Sequence, residues 1–304
     1  MLSSSITQHV AKLNAQFSVE VTPHDLDHIG PIEQLVPPGT AVYITYLERT
    51  GLSGTIVAAR RLAAAGMRPV PHLAARAVQS RGQLADAIRR MVAEAGVDDV
   101  LVIAGTVADH GPFPASIDLL RSSVLQDNGI GAAGVAGHPE GAPDIPAQVL
   151  AQAIDDKNAF ARESGMALRL VTQFAFDAAP FIAWERAVRL AGNRLPVHVG
   201  LPGATDAATL VRYGLRCGVG PSLKVLRRQA LRLGRLASSA PQFPDQTVTD
   251  IARAASDDPE NLFTAFHYFP FGALARTGSW AAELGASTFI HTADGRLITP
   301  SRPR

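Results

Sequence analysis

"GIGAAGVAG", residues 129 to 137, is the stretch on which the fold turns. Gly129, Gly131 and Gly134 have the G-x-G-x-x-G spacing of a dinucleotide-binding loop, which belongs on the turn between a strand and a helix. Here the spacing falls inside an apolar run, 130–137, that reads as a strand in its own right. In that context the glycines do not make a nucleotide-binding turn. Small residues inside a strand instead let a flat group approach the backbone. No other strand is followed by the fingerprint, so a doubly wound open sheet loses its support.

Outward from this fifth strand, strand-like runs alternate with helical patterns along the chain. Strands are expected at 17–23, 41–47, 68–74, 99–105, 130–137, 168–176, 196–201 and 263–269. Amphipathic helices are expected between them at 55–65, 83–95, 115–126, 147–163, 179–191 and 207–216. "SSSITQHVAKLNA" reads as a capped helix before the first strand, and "GPSLKVLRRQALRLGRLASS" and "QTVTDIARAASDDPENL" as extra helices before the last one. Eight strands alternating with helices in 304 residues predict an α/β fold, a (β/α)8 TIM barrel forming one catalytic domain over 1–304. Pro37-Pro38 and "GHPEGAPDIP" read as loops rather than domain boundaries.

Composition narrows the function classes. The chain is 47% hydrophobic, and its 28 basic and 27 acidic residues leave a formal charge of +1, which gives no reason to invoke nucleic acid or an anionic membrane. The basic run "LKVLRRQALRLGRL" (Leu223 to Leu236) reads as a solvated helix face. A single cysteine, Cys217, excludes an internal disulfide framework and points to a reducing compartment. "MLSSSITQHVAKLN" lacks the pattern of a signal peptide, and no apolar run reaches the roughly 20 residues of a membrane span. A cytoplasmic protein is expected, and a homo-oligomer is compatible with the chain.

Barrel chemistry gathers at the C-terminal ends of the strands. Those ends carry Glu20, Thr45 with Tyr46, His72, Gly105 with Thr106, His138 with Glu140, Gln173, Leu201 with Gly203, and His267 with Tyr268. In "FSVEVTPHD" (Phe17 to Asp25), Glu20 alternates with Val19 and Val21, so it faces away from them. At a partly dry barrel mouth, desolvation would favour its neutral acid and make it a proton donor. The plainer alternative is a glutamate paired across strands. Gln173 can donate and accept together, as an amide-like heterocycle edge requires, with Phe174 and Phe176 expected on the opposite, helix-packing face. His72, His138 and His267 could hold a metal in a barrel hydrolase. That reading lacks an HxH after the first strand and an aspartate ending the last, so no metal is expected.

The motifs "SVEVTP", "PHLAAR", "VLVIAG", "VAGHPEGAP", "VTQFAFD", "HVGLPG" and "FHYFPF", in this order from Ser18 to Phe271, resemble the methylenetetrahydrofolate reductase family. The resemblance implies a TIM barrel that binds FAD at the strand ends and reduces 5,10-methylenetetrahydrofolate to 5-methyltetrahydrofolate with NADH or NADPH. It implies that Glu20 is the residue that protonates the folate as its five-membered ring opens, and that Gln173 holds the pterin. Thr106, Leu201 and Gly203 fall among the substrate positions. Thr45, His72, Gly105, His138, Lys157 and Arg162 fall among the flavin positions. The chain departs from the family at three places: Ala104 and Thr106 replace an arginine and an aspartate after the fourth strand, His138 replaces a tyrosine, and the phosphate-neutralising lysine is matched only by Lys157 or Arg162. These changes touch the flavin more than the folate.

The sequence therefore predicts a folate-dependent oxidoreductase, with tetrahydrofolate derivatives and a nicotinamide cofactor as its small-molecule partners and FAD between them. The reverse direction, in one-carbon or demethylation metabolism, uses the same groups. Flavin-free hydride transfer, a folate-binding barrel without redox activity, and the metal-dependent hydrolase are the alternatives.

Overall fold

Valine and leucine at alternate strand positions have to leave water on one face, and helices laid over that face bury them. In the computed structural model, which describes residues 4–107, 111–216 and 240–302, this closes into a barrel of eight parallel strands. The strands are β1 (Ser18–Val21), β2 (Ala41–Ile44), β3 (Arg68–Ala74), β4 (Asp99–Ile103), β5 (Ala132–Gly137), β6 (Ala167–Thr172), β7 (Val197–Pro202) and β8 (Phe263–Phe269). β8 closes the ring onto β1 through the pairs Ser18 with His267 and Val19 with Tyr268. The third and eighth strands have their expected bounds. β1, β2, β4 and β6 stop short, and residues 22–23, 45–47, 104–105 and 173–176 leave the ladder to form the mouth.

The helices around the barrel are α1 (Ser4–Asn14), α2 (Pro23–Leu26), α3 (Gly51–Ala64), α4 (Arg81–Ala95), α5 (Ser116–Arg121), α6 (Val124–Asp127), α7 (Ala147–Ser164), α8 (Ala178–Leu190), α9 (Ala207–Arg216), α10 (Asp245–Asp257) and α11 (Leu274–Gly285). The single helix expected over 115–126 is two helices, because Ser123 takes φ 61° between them. The extra N-terminal helix is present and packs on α10, α11 and β8, where Tyr268 Oη donates to Asn14 Oδ1 at 2.7 Å. One of the extra helices expected before β8 is α10. The other, over 220–239, lies outside the described residues, as do Cys217 and the basic run. α11 and a short antiparallel pair, β9 (Ile290–His291) with β10 (Leu297–Ile298), were not foreseen.

The outward faces of the strands, Val19, Val42, Leu73, Val100, Val135, Leu170, Val199 and Phe266, are fully buried against the helices. The inward faces are unusual for this architecture, whose lumen is ordinarily filled by branched apolar side chains. Tyr43, Val70, Leu101 and Val171 form an apolar layer there, with Ala41 and Ile103 packed against it. Beside it the lumen carries the polar side chains Glu20, His72, Asp99, Arg169 and His267, and they contain the site.

Candidate active site

The floor of the lumen is an ion-paired plug. Arg169 on β6 donates from Nη1 to Asp99 Oδ1 at 3.0 Å, and its Nη2 lies 2.9 Å from Asp99 Oδ2. The same guanidinium donates to Tyr43 Oη from Nε and Nη2, at 3.0 and 2.6 Å. Gly134 on β5 makes room for it: a Cβ there would stand 2.9 Å from Leu101 Cδ1 and 3.0 Å from Val171 Cγ2, with Arg169 Nη2 at 3.5 Å. The group that approaches the glycine strand is thus the protein's own side chains. Gly137 similarly faces the indole of Trp184, which a Cβ would meet at 2.9 Å.

Above this floor Glu20 projects from β1, its side chain 17% exposed. Thr45, the first residue after β2, donates from Oγ1 to Glu20 Oε1 at 2.7 Å. His267 Nε2 on β8 is 3.3 Å from Glu20 Oε2, and His72 Nε2 on β3 is 3.5 Å from the same oxygen. His267 is fully buried, and its Nδ1 is 2.8 Å from Ser18 Oγ. This corrects the expectation of a neutral acid. Burial does push the carboxyl up, but the two imidazoles and the Thr45 hydroxyl outweigh it, and Glu20 is held below the ordinary glutamate range. Glu20 therefore rests as a carboxylate in a hydrogen-bonded box. Burial pushes His72 below its ordinary value, opposed by the neighbouring Glu20 carboxylate. His198, on the inward face of β7, is driven down to about 3, by burial first and then by Arg169 and His267.

The wall above His267 is aromatic. Phe269 meets the His267 ring edge-on at 4.7 Å and leads to Phe174 at 5.4 Å. Phe271 touches Phe174 at 5.0 Å and stacks on Tyr213 of α9 at 4.3 Å and 21°. Phe174 is thus part of the mouth and not of the strand–helix layer. Alternation along β6 ends at Thr172, so it no longer governs which way Phe174 turns. Gln173 beside it is exposed at the rim, fixed through its backbone N–H to Gly137 O at 3.1 Å. Gly200 lets the β6 end approach so closely, since a Cβ there would lie 2.3 Å from Thr172 O.

The remaining candidates are scattered. Thr106 is exposed at the mouth and donates to Glu48 Oε1 at 3.4 Å. Leu201 faces outward, fully buried in the layer between strands and helices. Gly203 is a packing glycine, where a Cβ would stand 2.5 Å from Thr277 Oγ1 and 2.7 Å from Pro270 Cα. Gly105 takes φ 82° at the turn after β4, against Ala74. None of these four lines the lumen beside Glu20.

The flavin positions offer no cation suited to a diphosphate. Lys157 is buried in α7, donates to Ala136 O at 3.2 Å, and is pushed down to about 8 by that burial. Arg162 is exposed in the last turn of α7, which precedes β6 and so lies at the end of the barrel away from the strand C-termini. His138 is driven down to about 4 by burial and then by Lys157, which leaves it neutral. Thr45 and His72 are engaged with Glu20. These six residues do not fit the group the resemblance implies. Among the described residues, no group of three or more His, Cys, Asp or Glu is placed to hold a metal ion. Nor is any described helix long and apolar enough to cross a membrane.

Glu20, Thr45 and His72 stand at strand ends in the sequence, but their assembly with one another, with His267 and with Ser18, and the Tyr43–Asp99–Arg169 floor, are not legible there. The only trace of the floor is three polar side chains at inward positions of otherwise apolar strands.

No family model matches the chain. Among solved structures, it is similar to a family 18 chitinase from Crocus vernus, with 12% identity and a TM-score of 0.44, over 89% of this chain and 98% of that one. A chitinase catalytic domain from the fern Peteris ryukyuensis gives 10% and 0.46, over 89% and 99%. Burkholderia cenocepacia dihydropteroate synthase in complex with 7,8-dihydropteroate gives 15% and 0.44, over 89% and 91%. At these identities and scores the likenesses decide nothing about chemistry, and the barrel rests on the pairing of its own strands.

Proposed function

We propose that the chain is a folate-dependent oxidoreductase. It reduces 5,10-methylenetetrahydrofolate to 5-methyltetrahydrofolate with a reduced nicotinamide, or runs the reverse reaction. The observation that supports this most is the Glu20 box: a partly exposed carboxyl group, fixed by Thr45 and His267, at the base of an aromatic cup with Gln173 on its rim. A flat pterin and its benzoyl group suit such a wall. Gln173 can donate to and accept from the pterin amide edge.

In this reading Glu20, a carboxylate at rest, takes up a proton from solvent at the mouth and delivers it to the folate nitrogen that leaves the one-carbon unit. The carbon–nitrogen bond of the five-membered ring breaks, and an iminium forms at N5. Hydride from the nicotinamide then adds to its carbon. Each turnover consumes one proton and one hydride. Because the flavin positions present no cation to a diphosphate, the hydride is assigned to pass directly from the nicotinamide, and no step runs through FAD.

The purified chain, with no flavin added, is expected to oxidise NADH or NADPH when 5,10-methylenetetrahydrofolate is supplied. Strict dependence on added FAD would overturn direct transfer. Folate binding without nicotinamide oxidation would leave a folate-binding barrel, and neither binding nor oxidation would overturn the reading.

A further inference from the structure

The turn that joins β8 to α11 carries a residue that its backbone does not suit. Ala273 N–H donates to Pro270 O at 2.9 Å across Phe271 and Gly272, and both of these central residues have positive φ, 48° and 87°. A two-residue turn of that hand takes glycine, asparagine or aspartate at its centre, because a larger side chain crowds the backbone there. Gly272 satisfies the rule and Phe271 breaks it. A bulky side chain at such a φ persists only where its surroundings hold it. They do so here. Gly203 N–H donates to Phe269 O at 2.8 Å, and a Cβ on Gly203 would stand 2.7 Å from Pro270 Cα, so the end of β7 grips the chain just before the turn.

What the turn gains is the direction of one ring. Phe271 stacks on Tyr213 of α9 at 4.3 Å and 21°, meets Phe174 edge-on at 5.0 Å, and lies at 21° to Phe269 with the centroids 6.1 Å apart. A ring kept for packing alone would be enclosed by these neighbours, as Phe174 is. Phe271, Phe269 and Tyr213 are instead part-exposed at the mouth. Phe271 is the outer end of a wall whose inner end, Phe269, touches His267, the neighbour of Glu20.

We propose that Phe271 is a specificity-determining residue, held in a strained turn so that its exposed face stacks on the outer aryl ring of a flat ligand. The identity of that ring rests on the folate reading: with the reacting nitrogen at Glu20, the ring that reaches Phe271 is the benzoyl group. Stacked aromatic pairs contribute beyond the area they bury, which is what the π face adds over an aliphatic side chain. The cost is a turn less stable than glycine or asparagine would make, the trade common at binding sites.

Four substitutions test this, by calorimetric titration and thermal melting of the whole chain. Phe271→Leu keeps apolar volume without a ring face and should raise the tetrahydrofolate Kd by about five- to tenfold, whereas Phe271→Tyr should stay within about twofold. Unchanged affinity in both variants, or an equal loss in both, would make the ring merely structural and overturn the stacking role. Phe271→Gly and Phe271→Ala both lose the ring, so their difference reports the backbone. The glycine variant should melt higher by about 2 °C or more, and equal melts would overturn the strained turn. If the unmutated protein binds no tetrahydrofolate, the folate reading fails and NADH becomes the probe of the same face. Weaker NADH binding by Phe271→Leu would then uphold the stack, and equal or absent binding would overturn it.

Discussion

Val19 and Val21 flank Glu20 on β1, and that alternation was enough to put the carboxylate in the lumen. Its charge state was not legible, because the groups that set it arrive from elsewhere. Thr45 and His72 come from the next two strands, and His267 from almost 250 residues away in the chain. Desolvation alone predicts a neutral acid; desolvation plus two imidazoles and a hydroxyl gives a carboxylate. Lys157 shows the reverse error, since a lysine matched to a phosphate site by position spends its amine on a strand carbonyl. Gln173 follows the last residue of β6 and stands exposed at the rim. Replacing it by alanine should weaken tetrahydrofolate binding by about tenfold, the worth of one or two neutral hydrogen bonds. Calorimetric titration measures this, and unchanged affinity would remove the pterin contact.

At the level of the elements, strand order and spacing were readable because each strand is a short apolar run bounded by glycine, proline or a helix cap. The strand ends were not, and they matter most, because the residues that leave the ladder early carry Thr45, Thr106 and Gln173. α11 was missed because its buried face includes Thr277 and Gly278, small residues that allow the chain at Leu35 to lie against the helix. They blur the apolar period. Glycine also governs the β6–β7 seam. Gly200 donates its N–H to Thr172 Oγ1 at 2.8 Å, and a Cβ there would lie 2.3 Å from a backbone oxygen that no rotamer can move. Gly200→Ala should cost about 1–3 kcal/mol and displace Gln173 at the mouth. A thermal melt reports the first effect, and reduced folate affinity the second. A melt unchanged within error would mean that the seam relaxes freely.

Across the whole molecule, the buried histidines make stability depend on pH. His72, His138 and His198 are all depressed in the folded protein, the last two to about 4 and about 3, chiefly by burial. In the unfolded chain each titrates near 6.5. Below that value the unfolded state binds protons that the folded state refuses, so their contribution is complete above about pH 6.5 and is lost as pH falls toward 4. The depressed carboxyl of Glu20 adds a further loss at still lower pH. Each histidine adds a slope of at most about 1.4 kcal/mol per pH unit. The melting temperature should therefore fall by several degrees between pH 7 and pH 5, and His138→Asn should flatten part of that fall. A melting temperature that is level across this range would show that these rings are not held neutral.

The measurement that bears most directly on the account is a comparison of Glu20→Gln with the unmutated protein, by folate-binding titration and by nicotinamide oxidation on 5,10-methylenetetrahydrofolate. Glutamine keeps the shape and the Thr45 contact but has no proton to give. The account predicts folate affinity within a few fold and turnover lowered by about 100-fold or more. Turnover retained within a few fold would contradict it, because the proton would then come from a group other than Glu20.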